Sequence, residues 1–340
     1  MATAGMSIFQ PQHGQHELAA SQQTAARSQL VQNQVIQVAQ GHLQPVIQGQ
    51  WSLLAVGGFG RGELFPHSDV DLLLLVASEE VAIQSKDAIG LFLQTLWDDG
   101  LSPSHSVHTV EECCRLDANN IELTISLLTN RFLTGSRELA DKLAEKLPGF
   151  IYKQRRVVTE NLLTMAAARR SKFQDTIYHL EPDIKEAPGG FRDLHLIEWL
   201  GLLRGTPHHA VLRSLRDAKE FLSTIRIALH ERSKRDDNRL TFDAQDEIFE
   251  NPADAMRVYY FHAREIDHQV RAIMAATEDS GNGMLRQFFD WRSRLSNAEF
   301  TVSRGRILLR NPHALSVDPQ FLIRLLQFVA RHGILPAYDT

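Results

Sequence analysis

Two cysteines, Cys113 and Cys114, are all that the 340 residues contain. Neighbours in sequence cannot cross-link distant parts of a fold, and no Cys/His spacing of a zinc site is present. The pair reads as two reduced thiols, the usual state in the cytoplasm, which is the expected location. No apolar run approaches the ~20 residues that cross a bilayer. No charged segment followed by an apolar stretch opens the chain, so neither a membrane anchor nor a secretory signal is expected. An excess of positive charge is missing too. Lys and Arg number 36 against 41 Asp and Glu, a net charge of −5, which argues against a nucleic acid held mainly through its phosphate backbone. What is present, 43% hydrophobic and 23% charged residues, is the composition of an ordinary folded protein of about two domains.

Residues 1–26 are rich in Gln, Ala, Ser and Thr with almost no charge, and read as a flexible tail. Helical spacing begins in 27–48. A short apolar run at 51–57 reads as a buried strand, 58–68 as a glycine-rich loop, and 69–76 (DVDLLLLV) as a second strand. A helix over 81–99, a third strand over 101–109 and helical patterns over 110–146 complete a small mixed α/β unit, 27–148. From 149 to 340 long amphipathic segments dominate: 150–178, 192–204, 211–232, 252–278, 284–295 and 319–333, with a short hairpin at 300–313. The expected fold class is α+β, a small domain with a mixed sheet followed by an all-helical domain.

The stretch 57–71, GGFGRGELFPHSDVD, carries the chemistry. Gly57 and Gly58 end a buried strand, where bare backbone amides can approach phosphate oxygens. Arg61 puts a fixed positive charge in the loop, and Ser68 a hydroxyl beside the acids. Asp69 and Asp71 are two apart, so on a strand they share a face. Two carboxylates so close repel unless a cation lies between them. A lone D-x-D is commonly a solvated turn. In the order strand, Gly-Gly, about ten residues, Ser-Asp-x-Asp and apolar strand, it points to Mg²⁺ and a triphosphate. This arrangement resembles the polymerase-β-like nucleotidyltransferase superfamily, in which the next strand usually supplies another carboxylate. Here that strand, 101–109, has no acid. Glu63, Glu122 and Asp193 are the possible substitutes, with Asp193 preferred and Glu63 expected to pair with Arg61 or hold the loop.

A second signature is EPDIKEAPGGFRDLH at 181–195. It gathers Lys185, Arg192 and Asp193 around a glycine turn at the start of a helix, an anion-favouring position. The bland alternative is a capped turn with a surface ion pair. The basic residues of 153–172 are assigned no role, and His108, His195 and His230 read as packed or surface histidines.

Together GGFGRGELFPHSDVDLLLL and EPDIKEAPGGFRDLH, with IRIALHERSKRDDNRLTFDAQDEI at 225–248 and MRVYYFHAREI at 256–266, are similar to the bacterial PII uridylyltransferase/uridylyl-removing enzyme family from about residue 30 onward. The resemblance implies transfer of UMP from UTP to a tyrosine of the PII signalling protein, with release of pyrophosphate. It implies Asp69 and Asp71 as catalytic metal ligands for Mg²⁺, and Asp193 as a further catalytic acid. Gly57, Gly58, Arg61, Ser68, Lys185 and Arg192 would bind the nucleotide. UTP and PII are the partners it implies, with no nucleic acid and no membrane. None of the fifteen histidines is followed by Asp, so the family's His-Asp hydrolase and ligand-sensing domains are expected to be absent. Adenylyl transfer, as by glutamine synthetase adenylyltransferase, and a nucleotide-binding regulatory module without chemistry are the alternatives.

Overall fold

The computed structural model describes residues 9, 18–47, 50–116, 121–206, 215–279, 299–303, 306–311, 318–332 and 334–337. They fall into two compact units, 1–270 and 271–340. The helix expected at 284–295 lies outside the described residues, as does most of the 1–26 tail. The part of that tail which is described differs from expectation. Helix α1 spans Ala20–His42 and so begins seven residues before 27, burying Ala20, Thr24 and Ser28 on the same face as Val31, Val35 and Ala39.

The first unit is built on a mixed four-stranded sheet in the order β3-β2-β1-β4. Strands β1 (Trp51–Ala55) and β2 (Val70–Val76) are antiparallel, and β3 (Pro103–His108) runs parallel to β2. Strand β4 (Arg131–Gly135) pairs antiparallel with β1 inside the stretch 110–146 that reads as helical by its pattern. The Leu-rich run of β2 explains itself by alternation. Val70, Leu72, Leu74 and Val76 face α1 and α2 (Lys86–Asp98), where Phe92 and Leu96 meet them. Leu73 and Leu75 face the other layer with Leu54, Val56, Leu143 and Leu147. Both faces of the sheet are covered, so a strand can be apolar throughout.

That second layer is made by α3 (Ile121–Leu127) and α4 (Arg137–Lys172). Helix α4 has 36 residues, about 54 Å at helical rise. The Ser136 hydroxyl caps it on Leu139 N–H, and Pro148 lies inside it. A domain boundary at 148/149, expected from the change of pattern, therefore falls within one unbroken helix. Its first half buries Ala140, Leu143 and Leu147, and its second half buries Val158, Leu162, Ala166 and Arg170. The second half packs with α5 (Phe191–Leu203), followed by α6 (Arg216–Ser233), α7 (Phe242–Ile248) and α8 (Pro252–Asp279). No described helix is long and apolar enough to cross a membrane.

The second unit contains the expected hairpin, β5 (Phe300–Ser303) with β6 (Arg306–Leu309), and helix α9 (Pro319–His332). A short β7 (Leu335–Pro336) adds parallel to β6 and makes a three-stranded sheet, so 149–340 is not wholly helical. Phe300, Val302, Ile307, Phe321, Leu325 and Ile334 form its core.

Candidate active site

The glycine stretch after β1 is not an open loop. Gly57–Gly60 form one helical turn, pinned from outside by the Arg131 guanidinium, which donates to Phe59 O at 3.1 Å and Gly60 O at 3.4 Å. Gly57 sits at φ +57°, and an added Cβ would stand 2.5 Å from Asp71 Oδ2. Glycine here makes room for a carboxylate, in a conformation that side chains rarely adopt. Asp71 is half-buried and Asp69 exposed at the mouth of β2. The Asp71 carboxyl is pushed up to about 6, mainly by burial and then by the neighbouring Asp69, while Arg61, Arg192 and Lys185 pull it down.

Asp71 opens onto a cleft of about 720 Å³. The register explains its near wall. On the parallel β3, Ser104, Ser106 and His108 stand beside Asp71, Leu73 and Leu75, so all three point the same way as the acid. They line the cleft, as does Glu122 of α3. The far wall comes from α4 with Leu162, Met165, Arg169 and Lys172, and from α5 with Arg192, Leu196 and Trp199. Thus Gly57 and Asp71 from the first signature and Arg192 from the second meet at one cleft, across more than a hundred residues of sequence.

The structure parts company with the sequence reading over several charges. Arg61 does not line the cleft. Its side chain is 4% exposed, with Nε 3.0 Å from Glu63 and 3.6 Å from Glu198, and Nη2 2.9 Å from His195 Nε2. It fastens the glycine turn to α5. Glu63 pairs with Arg61, as expected, and with Lys219 of α6. Burial works to raise the Glu63 carboxyl, but the two cations hold it below its ordinary value. Ser68 accepts a hydrogen bond from Arg226 Nη2 at 3.4 Å, and Gly58 is likewise not among the lining residues. Lys185 Nζ is 3.0 Å from Asp236 and reaches Asp71 only through its field.

Asp193 departs most from expectation. It is fully buried. Oδ1 accepts from Arg169; Oδ2 accepts from Arg170 Nη1 at 2.6 Å and from Gly189 N–H at 2.9 Å. Fully buried and paired with two guanidinium groups, this carboxylate is not among the residues that line the cleft. Of the three acids weighed as substitutes, Glu122 is the one that lines the cavity. The histidines divide. His230 is buried between Pro66 O and Asp236, and His195 packs between Phe191 and Trp199. Burial, and after it Arg61, pushes the His195 imidazole well below its usual value. His108 lines the cleft. Arg169 and Lys172 belong to the basic stretch 153–172, to which the sequence assigns no role, and Trp199 carries no local motif. Only the packing of α4 against α5 brings them here.

The Asp69–Asp71 pair offers oxygen donors alone, the set that suits a hard cation sharing its remaining positions with water and phosphate. Among the described residues no group of three or more His, Cys, Asp or Glu makes a ready-made metal cage.

Comparison with known proteins bears on this geometry. Residues 157–275 match the family model described as GlnD PII-uridylyltransferase. The chain is similar to the bifunctional uridylyltransferase/uridylyl-removing enzyme of Bordetella parapertussis, with 30% identity over 83% of this chain and 34% of the relative. The enzyme of the same description from Haemophilus influenzae is 31% identical over 83% of this chain and 35% of its own length. That from Pseudomonas putida is 31% identical over 90% and 36%. The chain spans about a third of the length of the curated relatives it matches.

Proposed function

Because this chain belongs, over the length that aligns, to the PII-uridylyltransferase family, we propose that its cleft passes UMP from UTP to a tyrosine hydroxyl of a PII protein. In that reaction the phenolic oxygen forms a bond to the α-phosphorus, the bond to the β-phosphate breaks, pyrophosphate leaves, and the phenol loses its proton. The observation that carries the reading is the Asp69–Asp71 pair at the mouth of β2, with Asp71 lining the cleft and Gly57 vacating the space the Asp71 carboxylate needs.

Asp69 and Asp71 would hold Mg²⁺. When bound, the cation neutralises phosphate charge and aligns the attacking oxygen. The chain's own contributions are then distinct. Gly57 and Val56 shape the floor beside Asp71. Arg192, half-exposed and 3.1 Å from Glu186, supplies positive charge from the far wall. Glu122 takes the part of the carboxylate that β3 lacks. Apolar Leu162, Leu196 and Trp199 exclude water from the wall opposite the acids.

The test is incubation of the chain with Mg²⁺, a PII protein and labelled UTP or ATP. Label from UTP on a PII tyrosine is expected. Label only from ATP would make the chain an adenylyltransferase, and triphosphate binding without transfer from either would make it a regulatory module.

A further inference from the structure

We propose that Arg169 binds the phosphate chain of the nucleoside triphosphate in this cleft, and that Asp193 is the positioning residue that fixes its guanidinium. The proposal rests on the nucleotidyl-transfer reading of the site and adds a firmly held cation beside Arg192 once Arg61 is accounted for.

Three side chains bring positive charge to the cleft wall among the described residues: Arg169, Lys172 and Arg192. They differ in how they are held. Lys172 is exposed on the last turn of α4. The Arg192 side chain is 45% exposed and shares its charge with Glu186 of its own turn. The Arg169 side chain is 14% exposed and gripped at two points by the segment 186–193. Nη1 donates to the Glu186 carbonyl and Nη2 to Asp193 Oδ1. A guanidinium carries five N–H donors, so three are left for a ligand after these described bonds. A cation whose rotamer is already fixed loses little entropy on binding, and one largely shielded from water is weakly screened.

The anchor is itself rigid. Gly189, at φ +78°, lies so close to α8 that a Cβ would be 2.6 Å from Ala263 O. Its N–H holds Asp193 Oδ2, which Arg170 also meets. Arg170 is further paired with Asp175 and Asp267. Asp193 is thus shared between two guanidinium groups and cancels only part of the Arg169 charge. Within the signature at 181–195, Asp193 therefore acts on the cleft at one remove: turn to Asp193, Asp193 to Arg169, Arg169 to phosphate.

The experiment titrates the full chain with inorganic tripolyphosphate and with UTP, both with Mg²⁺, by calorimetry, and measures KM and kcat for UTP in transfer to PII. Arg169→Ala is expected to weaken binding of both probes by about 10- to 100-fold, the range for a lost charge-assisted hydrogen bond. Arg169→Lys keeps the charge but not the fork, and is expected to lose roughly tenfold. If Arg169→Ala melts below the assay temperature, the lysine variant carries the test. Asp193→Asn is expected to raise KM for UTP, whereas a merely structural role would lower the active fraction, hence apparent kcat, and leave KM in place. Tripolyphosphate bound as tightly by the Arg169 variants as by the parent chain would overturn the proposal. A parent chain that binds tripolyphosphate but labels no PII overturns the transfer reading alone, and the Arg169 comparison is then decided on binding. A parent chain that binds neither probe overturns both.

Discussion

Two glycine turns frame the same cleft, and their acids are held in opposite ways. In the turn at 57–60 the glycine clears space, and Asp71 is left half-buried beside Asp69, with a carboxyl pushed up to about 6 by burial and by that neighbour. In the turn at 188–190 the glycine packs against α8, and Asp193 is sealed among two arginines and a backbone N–H. The first acid is held in an unfavourable ionised state, as suits a group awaiting a cation. The second has its charge answered within the fold. An acid that faces a ligand and an acid that builds the site should therefore respond to mutation in opposite senses.

The largest effect on the fold is expected at the sealed acid. Asp193→Ala leaves Arg169 and Arg170 without their shared partner and should cost about 3–5 kcal/mol in urea unfolding, as for other broken buried pairs. An unchanged midpoint would erase the contrast.

Asp71→Asn should do the reverse. Transfer is expected to fall by more than about 100-fold, at least the loss seen when a partner of a metal ligand is removed. The metal-free chain, however, should become more stable at neutral pH. A carboxyl whose folded value is raised favours the folded state below its ordinary value of 3.8 and withdraws that support as pH rises through about 6. Relative to Asp71→Asn, the parent chain should thus lose stability between about pH 4 and pH 7, by up to about 3 kcal/mol. Thermal melts of both proteins across that range decide it. In the same window, magnesium–nucleotide affinity should weaken as pH falls, because the cation must then displace a proton.

Gly57→Ala sharpens the comparison from the backbone side. The left-handed conformation and the approach of Asp71 Oδ2 predict a loss of about 1–3 kcal/mol, with loss of transfer, since the methyl group and the carboxylate claim one space. Arg192→Ala should have the smallest effect. Its pairing with Glu186 is half-exposed, so stability should change by less than about 1 kcal/mol, and KM for UTP should rise only a few-fold, by about 1 kcal/mol of binding.

Strands β1 to β3, the β5–β6 hairpin, most of the helices and both signatures were legible because each is a local pattern. Short apolar runs mark β1 and β2, glycines mark the turns, and acids two apart on a strand share a face. Strand β4 was not legible: Arg131–Gly135 is short, half-covered and set among helix formers, and it is a strand because β1 offers it an edge. The unbroken α4 was hidden by Pro148 and by a change in what its two halves pack against.

For the site, the sequence alone determined that Gly57, Asp69 and Asp71 stand together, since they follow one another within a strand-turn-strand. It determined equally that Lys185, Arg192 and Asp193 share a second turn. Only the tertiary structure decided which charges reach the cleft. Arg61 and Asp193 carry the chemistry of a site in their side chains, yet Glu198 and His195 of α5 claim the one, and Arg169 and Arg170 of α4 claim the other. The physical reason is that a charge is buried or free according to what packs on it, and its partners here come from helices more than twenty residues away or beyond a hundred.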